Sequence, residues 1–366
     1  MKIIMTGGGT GGHIYPAISL ARELQKRDSK HEIFFVGTNH GMESEIIPRE
    51  GFLFYAIKVR GIQRKICLES LYAILLFLLS LSTSFKLIRR IRPDLVIGTG
   101  GYVSGSIVLM SSVMGIPTFI HEQNAIPGIT NRWLSLTSRL VFVSFPESKK
   151  YFRKSIKVVC LGNPVRENIR QGNKEVLIRK SRLSVNKKTI LVFGGSKGAN
   201  VINQTFLDCL TWIDEPTWQQ WQILMISGKE DYVAVKERIE RSKFRAEIHL
   251  LSYLYQMGDA YDLANLAICR AGATTIAEFT AKGLPAVLIP YPYATGDHQL
   301  INARFLASSD AAVVIPQDEL SDKKMAWELS QLLNNPEKLK VLARNSRNMG
   351  NQKAAEEIID AIFDYM

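Results

Sequence analysis

The residues most able to do chemistry stand near the start of the chain. From Gly7 to Gly12, five of six positions are glycine, Thr10 being the exception, and His13 and Pro16 follow. Without Cβ atoms, such a loop lets backbone N–H groups approach a ligand closely. Where the loop opens a helix, its free N–H groups and the helix dipole favour an anion, usually a phosphate. A nucleotide or nucleotide-sugar site is the first expectation, and a tight turn without a ligand is the alternative. His13 stands at the helix opening, where the dipole disfavours an imidazolium, so a neutral ring able to take a proton is expected. Its other role would be to fix the loop by hydrogen bonds.

Further candidates recur along the chain. Gly98-Thr99-Gly100-Gly101-Tyr102-Val103-Ser104-Gly105 is a second glycine-rich turn into a helix, and His121-Glu122-Gln123-Asn124 closes an apolar run. Cys269-Arg270-Ala271-Gly272-Ala273-Thr274-Thr275-Ile276-Ala277-Glu278 leads from a strand into a helix. There Glu278 has two readings: the acid of a Thr275-x-x-Glu278 capping box, or the group that holds two ribose hydroxyls beside a diphosphate. Gln299 and Asn302 open a later helix.

Gly7, Gly9 and Gly12 satisfy G-x-G-x-x-G, but the acidic residue that a dinucleotide fold needs at the end of the second strand is missing from Val36-Gly37-Thr38. Glu43 lies well beyond. A nucleotide-dependent oxidoreductase, like a binding protein without catalysis, is therefore the weaker reading. No G-x-x-x-x-G-K-[ST] occurs, which excludes a P-loop, and no D-x-D occurs, which argues against a metal-held pyrophosphate. Charge on a leaving nucleoside diphosphate would instead meet a helix dipole, amides and Arg166.

The elements that must position these groups alternate between strand and helix. Ile3–Met5, Glu32–Val36, Phe52–Ile57, Asp94–Gly98, Pro117–Ile120, Leu140–Ser144 and Lys157–Leu161 read as strands of a first sheet. Gly162–Arg166 reads as a link. The opening then repeats: strand Thr189–Phe193, glycine loop Gly194–Ala199, and a helix from Val201. Strands at Gln222–Ile226, Glu247–Leu251, Leu266–Cys269 and Ala286–Pro290 follow. The fold class expected is α/β, with two Rossmann-like parallel-sheet domains facing a cleft. The first spans 1–163 and the second 164–351, with a helix near 352–366 packing back on the first.

The 366 residues suit two domains, and 46% hydrophobic content suits two cores. Cys67, Cys160, Cys209 and Cys269 are scattered without zinc-like spacing, the pattern of reduced intracellular thiols. The chain opens directly on a core strand, so no signal peptide is expected. A formal charge of +12 calls for an acidic partner, and the absence of aromatics interleaved with the basic residues makes nucleic acid the weaker one.

From Ser70 to Phe85 there is no charged residue, and Leu71–Leu79 is apolar on every helical face. The tract is too short and too rich in Ser and Thr to span a bilayer. Lys65, Lys86, Arg89 and Arg90 bracket it, the arrangement of a peripheral protein on anionic lipid. Docking through Leu75, Leu78 and Leu79 is favoured over full burial.

Seven motifs in order resemble the MurG family, the N-acetylglucosaminyltransferases of peptidoglycan synthesis. They are Gly8–His13, Gly100–Gly105, His121–Asn124, Gly162–Arg166, Gly194–Ser196, Arg270–Glu278, and His298-Gln299 with Asn302-Ala303. The sequence departs from the family pattern at Ala271, Lys197 and Tyr255-Gln256. The resemblance implies the GT-B architecture and an inverting transfer of N-acetylglucosamine from UDP-N-acetylglucosamine (UDP-GlcNAc) to the muramyl 4-hydroxyl of lipid I, giving lipid II. Another UDP-sugar-dependent GT-B glycolipid transferase is the alternative. It implies that Thr10, Gly11, Gly12 and Asn124 face the transferred sugar, and that Arg166 and Ser196 lie near the diphosphate. Leu254 with Ala273, Thr274, Thr275, Ile276, Ala277 and Glu278 would hold the uridine, and Gln299 the sugar hydroxyls. Gly8, Gly9, Gly101, Tyr102 and Ser104 would face the acceptor diphosphate. His13 is the candidate base and Glu122 the reserve. No cofactor or resident metal is implied, with room for an assisting divalent ion. The partners implied are UDP-GlcNAc, lipid I, an anionic membrane surface and other cell-wall synthesis proteins, with no nucleic acid. The protein would sit peripherally on the cytoplasmic face of the cell membrane.

Overall fold

The computed structural model describes residues 1–59, 68–195, 198–242 and 244–366, with the backbone alone for 68–74. Contacts divide the chain into one unit of Met1–Arg166 with Gln352–Met366 and another of Glu167–Asn351.

The first unit is built on strands β1 Lys2–Gly7, β2 Glu32–Gly37, β3 Leu53–Ala56, β4 Leu95–Gly100, β5 Thr118–Glu122, β6 Leu140–Val143 and β7 Val158–Cys160. They form a parallel sheet in the order β3-β2-β1-β4-β5-β6-β7. Apolar residues point to both faces. Ile3, Met5, Leu140 and Phe142 enter one core, while Ile4, Val141 and Val143 enter the other. Burial on both sides is what a parallel sheet covered by crossover helices requires. The strand order reverses at β1 and β4, and the crevice beyond the strand ends at such a point is where ligands bind in open α/β sheets.

The second unit repeats the plan with β8 Lys188–Phe193, β9 Trp221–Ile226, β10 Glu247–Leu251, β11 Leu266–Cys269, β12 Ala286–Leu288 and β13 Ala312–Val314. Their order is β10-β9-β8-β11-β12-β13, again parallel, with the reversal at β8 and β11. The three-residue β13 was not anticipated from the sequence, because so short a run carries no period.

The Ala354–Asp364 helix belongs to the first unit. Ile358, Ile359 and Ile362 are fully buried in the cluster that holds Ile3 and Leu20. Arg27 fastens it through the Asp360 carboxylate at 2.5 Å and the Glu356 carbonyl at 2.8 Å.

Leu68–Ile91 forms one helix, and its faces run against the usual pattern. Ser80, Ser84, Ile88 and Ile91 are buried, whereas Leu75, Leu78 and Leu79 are 52, 57 and 57% exposed. The helix packs against Tyr102–Val113, where Phe77 lies so near Gly105 that a Cβ there would stand 3.3 Å from its ring. The inward face thus carries Phe77 and the buried serines, and the leucines stay outside. Lys86, Arg89 and Arg90 are exposed on the same helix, with the Arg89 guanidinium over the Phe85 ring. Lys65 lies outside the described residues. No helix among the described residues is long and apolar enough to cross a membrane.

Candidate active site

In the first unit the loop after β1 leads into the Gly11–Arg27 helix, whose Ncap is Thr10. His13 sits in the first turn, half-buried. Its Nδ1 lies 2.9 Å from Thr99 O and 2.7 Å from Gln123 Oε1, and the Thr99 hydroxyl donates to the His13 carbonyl at 2.8 Å. A backbone carbonyl oxygen only accepts, so Nδ1 carries a hydrogen. The ring is neutral when Nε2 holds a free lone pair, the state a general base needs. The ring also rests on Gly100, where φ is +108° and a Cβ would stand 2.9 Å from the imidazole. Only glycine fits there.

The amides of this loop are less available than the glycine count suggested. Gly8 N–H donates to Gly100 O at 3.3 Å, and Gly9 N–H donates to Glu43 Oε2 at 3.0 Å. Glu43, only 1% exposed, also accepts from the amide and hydroxyl of Thr38 at 3.0 and 2.7 Å. Burial opposes its charge, but the bonds from Gly9 and Thr38 outweigh that and hold the carboxyl below its usual range. The N–H groups of Gly8 and Gly9 are thus engaged by the protein's own atoms. Gly11 and Gly12, at the helix opening, have amides with no partner among the described residues.

The second turn shows the same division. Gly101, with φ +80°, is the Ncap of Tyr102–Val113, a helix whose start has no side-chain cap. Tyr102 is 38% exposed. Ser104 is fully buried and gives its hydroxyl hydrogen to Gly101 O at 2.8 Å. Its hydroxyl hydrogen is committed to the turn it shapes.

Glu122, the reserve base, is 1% exposed and fully engaged. Its Oε1 accepts from Asn124 N at 3.0 Å, and its Oε2 from Gly128 N at 3.0 Å and Asn131 Nδ2 at 2.8 Å. It ties the 124–131 segment to the end of β5. These bonds make Glu122 an organiser of this loop. Asn124 is thereby fixed, half-buried, beyond β5. Arg166 places its guanidinium 4.2 Å from the Tyr15 ring centroid.

In the second unit the Ala273–Lys282 helix begins after Ncap Gly272 and has no side-chain cap. Thr275 is thus its third residue and Glu278 its sixth, too deep for a capping box, and that reading falls. Glu278 is 4% exposed and accepts from Tyr261 OH at 3.1 Å. Thr274 Oγ1 is buried with no partner among the described residues, an orphan hydroxyl at an uncapped helix opening. Thr275 and Ala277 are half-buried beside it, while Ala273 and Ile276 are buried. Asn302 reaches from the His298–Ala307 helix to Ala271 O at 3.2 Å. Gln299, on the same helix, accepts from Tyr291 N at 3.0 Å. Arg270 braces this side by donating to the Ile289 and Pro290 carbonyls. Leu254 is half-buried after β10. All of these groups lie beyond the C-terminal ends of β10, β11 and β12. Ser196 lies outside the described residues. Among those described, no group of three His, Cys, Asp or Glu side chains is placed to hold a metal ion.

Sequence reasoning missed Glu43 and undervalued His121 and Gln123. The signal for Glu43 was the pair of glycines shortly before it: a Cβ at Gly37 or Gly41 would stand within 2.5 Å of its side chain.

Residues 3–143 match the glycosyltransferase family 28 N-terminal domain, and residues 189–361 match its C-terminal domain. A relative from Thermoanaerobacter sp. is 41% identical over 99% of both chains, and one from Desulforamulus reducens is 42% identical over 99% of this chain and 98% of its own. Both are named UDP-N-acetylglucosamine–N-acetylmuramyl-(pentapeptide) pyrophosphoryl-undecaprenol N-acetylglucosamine transferase. Among solved structures, MurG of Acinetobacter baumannii matches with a TM-score of 0.78 at 28% identity, over 99% of each chain. UDP-GlcNAc 2-epimerase from Neisseria meningitidis, at TM-score 0.70 and 14% identity over 100% of each chain, shares the fold alone.

Proposed function

The chain belongs to glycosyltransferase family 28, and on that premise we propose the reaction its full-length relatives are named for. It transfers N-acetylglucosamine from UDP-GlcNAc to the muramyl 4-hydroxyl of lipid I, making lipid II, within a GT-B fold. The observation that carries this reading is identity of about 40% along nearly the whole chain. It is supported by two prepared sites, one around His13 and one at the uncapped Ala273–Lys282 helix.

In the transfer, Nε2 of His13 takes the proton of the 4-hydroxyl as its oxygen bonds to the anomeric carbon from the face opposite UDP. The bond from that carbon to the UDP oxygen breaks, and UDP leaves with the electron pair. Charge developing on the diphosphate is met by the helix opening at Gly272–Thr275 and the Thr274 hydroxyl. Glu278 holds the ribose, and Gln299 the sugar hydroxyls. Thr10, Gly11, Gly12 and Asn124 receive the transferred sugar, with Arg166 and Ser196 toward the diphosphate. The acceptor diphosphate meets the Gly101–Tyr102 helix opening. No resident metal is needed. Incubation with UDP-GlcNAc and a lipid I analogue, with and without chelator, should give the disaccharide product and UDP in both cases. No product from lipid I, or product only with added divalent ion, would overturn the corresponding part.

The helix with exposed leucines supports docking on the anionic cytoplasmic face of the cell membrane, where a lipid-linked acceptor would be presented. Each exposed basic residue would add roughly 1 kcal/mol. Replacing Leu75, Leu78 and Leu79 by serine should release the protein from phosphatidylglycerol vesicles with its melting temperature unchanged. Retention on the vesicles would refute docking by this face.

A further inference from the structure

The C-terminal end of β5 and the residue after it supply two side chains, His121 and Gln123, that the transfer does not use. His121 is fully buried, with its Nε2 3.0 Å from Gly162 O. The carbonyl only accepts, so Nε2 carries the hydrogen. Burial keeps the ring uncharged down to about pH 4, which leaves Nδ1 a bare acceptor. Gln123 Nε2 stands 3.1 Å from that Nδ1, 2.8 Å from Thr99 O and 3.0 Å from His121 O. Three acceptors around one amide atom identify it as the nitrogen. The amide oxygen is then turned toward His13, 2.7 Å from its Nδ1.

We propose that Gln123, oriented by His121, is a positioning residue that works with the Thr99 carbonyl to hold His13 in its Nδ1–H tautomer and keeps the Nε2 lone pair free for the acceptor hydroxyl. The proposal rests on the reading of His13 as the base. A neutral amide does here what an orienting carboxylate does for histidine elsewhere, without adding a charge that would favour the imidazolium. The only other titratable groups on this segment are His121 itself and Glu122, whose carboxylate is turned to Asn124, Gly128 and Asn131. The lock is assembled from the ends of β4 and β5 and the first turn after β1, so it needs no ligand to form.

The test uses the full chain labelled with 15N-histidine. In the wild-type protein at neutral pH, His13 should show a protonated Nδ1 and an unprotonated Nε2. A neutral ring with Nε2–H as the main form would overturn the proposal without any variant. Gln123→Met should lower kcat about 10-fold and give mixed tautomers, with KM for UDP-GlcNAc within about twofold. Gln123→Glu restores an acceptor oxygen together with a charge. It should recover part of kcat and move the acid limb of kcat/KM up by about one pH unit. Normal kcat and a single tautomer in Gln123→Met would overturn the proposal. So would a loss of kcat in both variants with tautomer and acid limb unmoved. Failure of the base reading looks different: His13→Ala would turn over normally while the wild-type spectrum still showed Nδ1–H.

Discussion

After β1 the chain commits the amides of Gly8 and Gly9 to its own atoms, and Glu43 and Thr99 close around the loop. After β11 the helix start is uncapped, and the Thr274 hydroxyl has no partner among the described residues. Both are strand–turn–helix openings of a parallel sheet, and both read in sequence as anion cradles. They differ in what is held. The first holds a side chain, His13, in one orientation. Both leave amides open at an uncapped helix start, but the second adds a buried hydroxyl whose unsatisfied polarity a ligand can relieve. Glycine in the first opening permits close packing of protein on protein, so glycine density alone does not mark an open anion cradle.

The contrast can be broken by substitution. If the first opening is the chemical one, His13→Ala should cut turnover roughly 10²- to 10⁴-fold while binding of UDP-GlcNAc, measured calorimetrically, stays intact. Near-normal turnover would put the chemistry elsewhere. The rigidity of the first opening should also show in acid. His121 has its folded pKa pushed down by burial to about 4, from 6.5. The unfolded chain therefore binds a proton that the folded one refuses between those values. The stabilisation is complete above about pH 6.5 and is lost as pH falls toward 4, amounting to roughly 3 kcal/mol. Glu43, held below its usual range, adds its own loss only at lower pH. Urea titrations from pH 7 to 4 should show this fall, and His121→Asn should flatten it.

The second opening predicts smaller effects of a different kind. Glu278→Gln should raise KM for UDP-GlcNAc about 10-fold with kcat little changed, as loss of a charge-assisted hydrogen bond does. Thr274→Val should separate binding from stability. Deleting an unpaired buried hydroxyl should stabilise the free protein by about 1 kcal/mol and weaken UDP-GlcNAc several-fold. If both quantities fell together, the hydroxyl would be structural and the contrast would fail.

Much of the fold was legible because parallel strands buried on both faces leave continuous apolar runs, as in Ile3–Met5 and Thr189–Phe193, each ending in glycine. The positions of Thr10, His13 and Thr274 could be read from the same turns. What could not be read depended on contacts between strand ends remote in sequence. Glu43 meets Gly9 across 34 residues, and Gln123 meets His13 across 110. The capping-box pattern at Thr275 and Glu278 misled because it sits one turn late in a helix that begins at Ala273. In the 68–91 helix, composition gave an apolar tract but not which face turns inward. The inward face carries Phe77 against Gly105 and the buried Ser80 and Ser84.

The return of the Ala354–Asp364 helix sets an order of assembly during synthesis. Glu167–Asn351 is continuous and can close on itself while the last residues are still in the ribosome. The first unit cannot, because Ile358, Ile359 and Ile362 complete the cluster around Ile3 and Leu20. The half made first is thus completed by a later segment, and until the Ala354–Asp364 helix emerges its unfilled apolar face is the part of the nascent chain most in need of a chaperone.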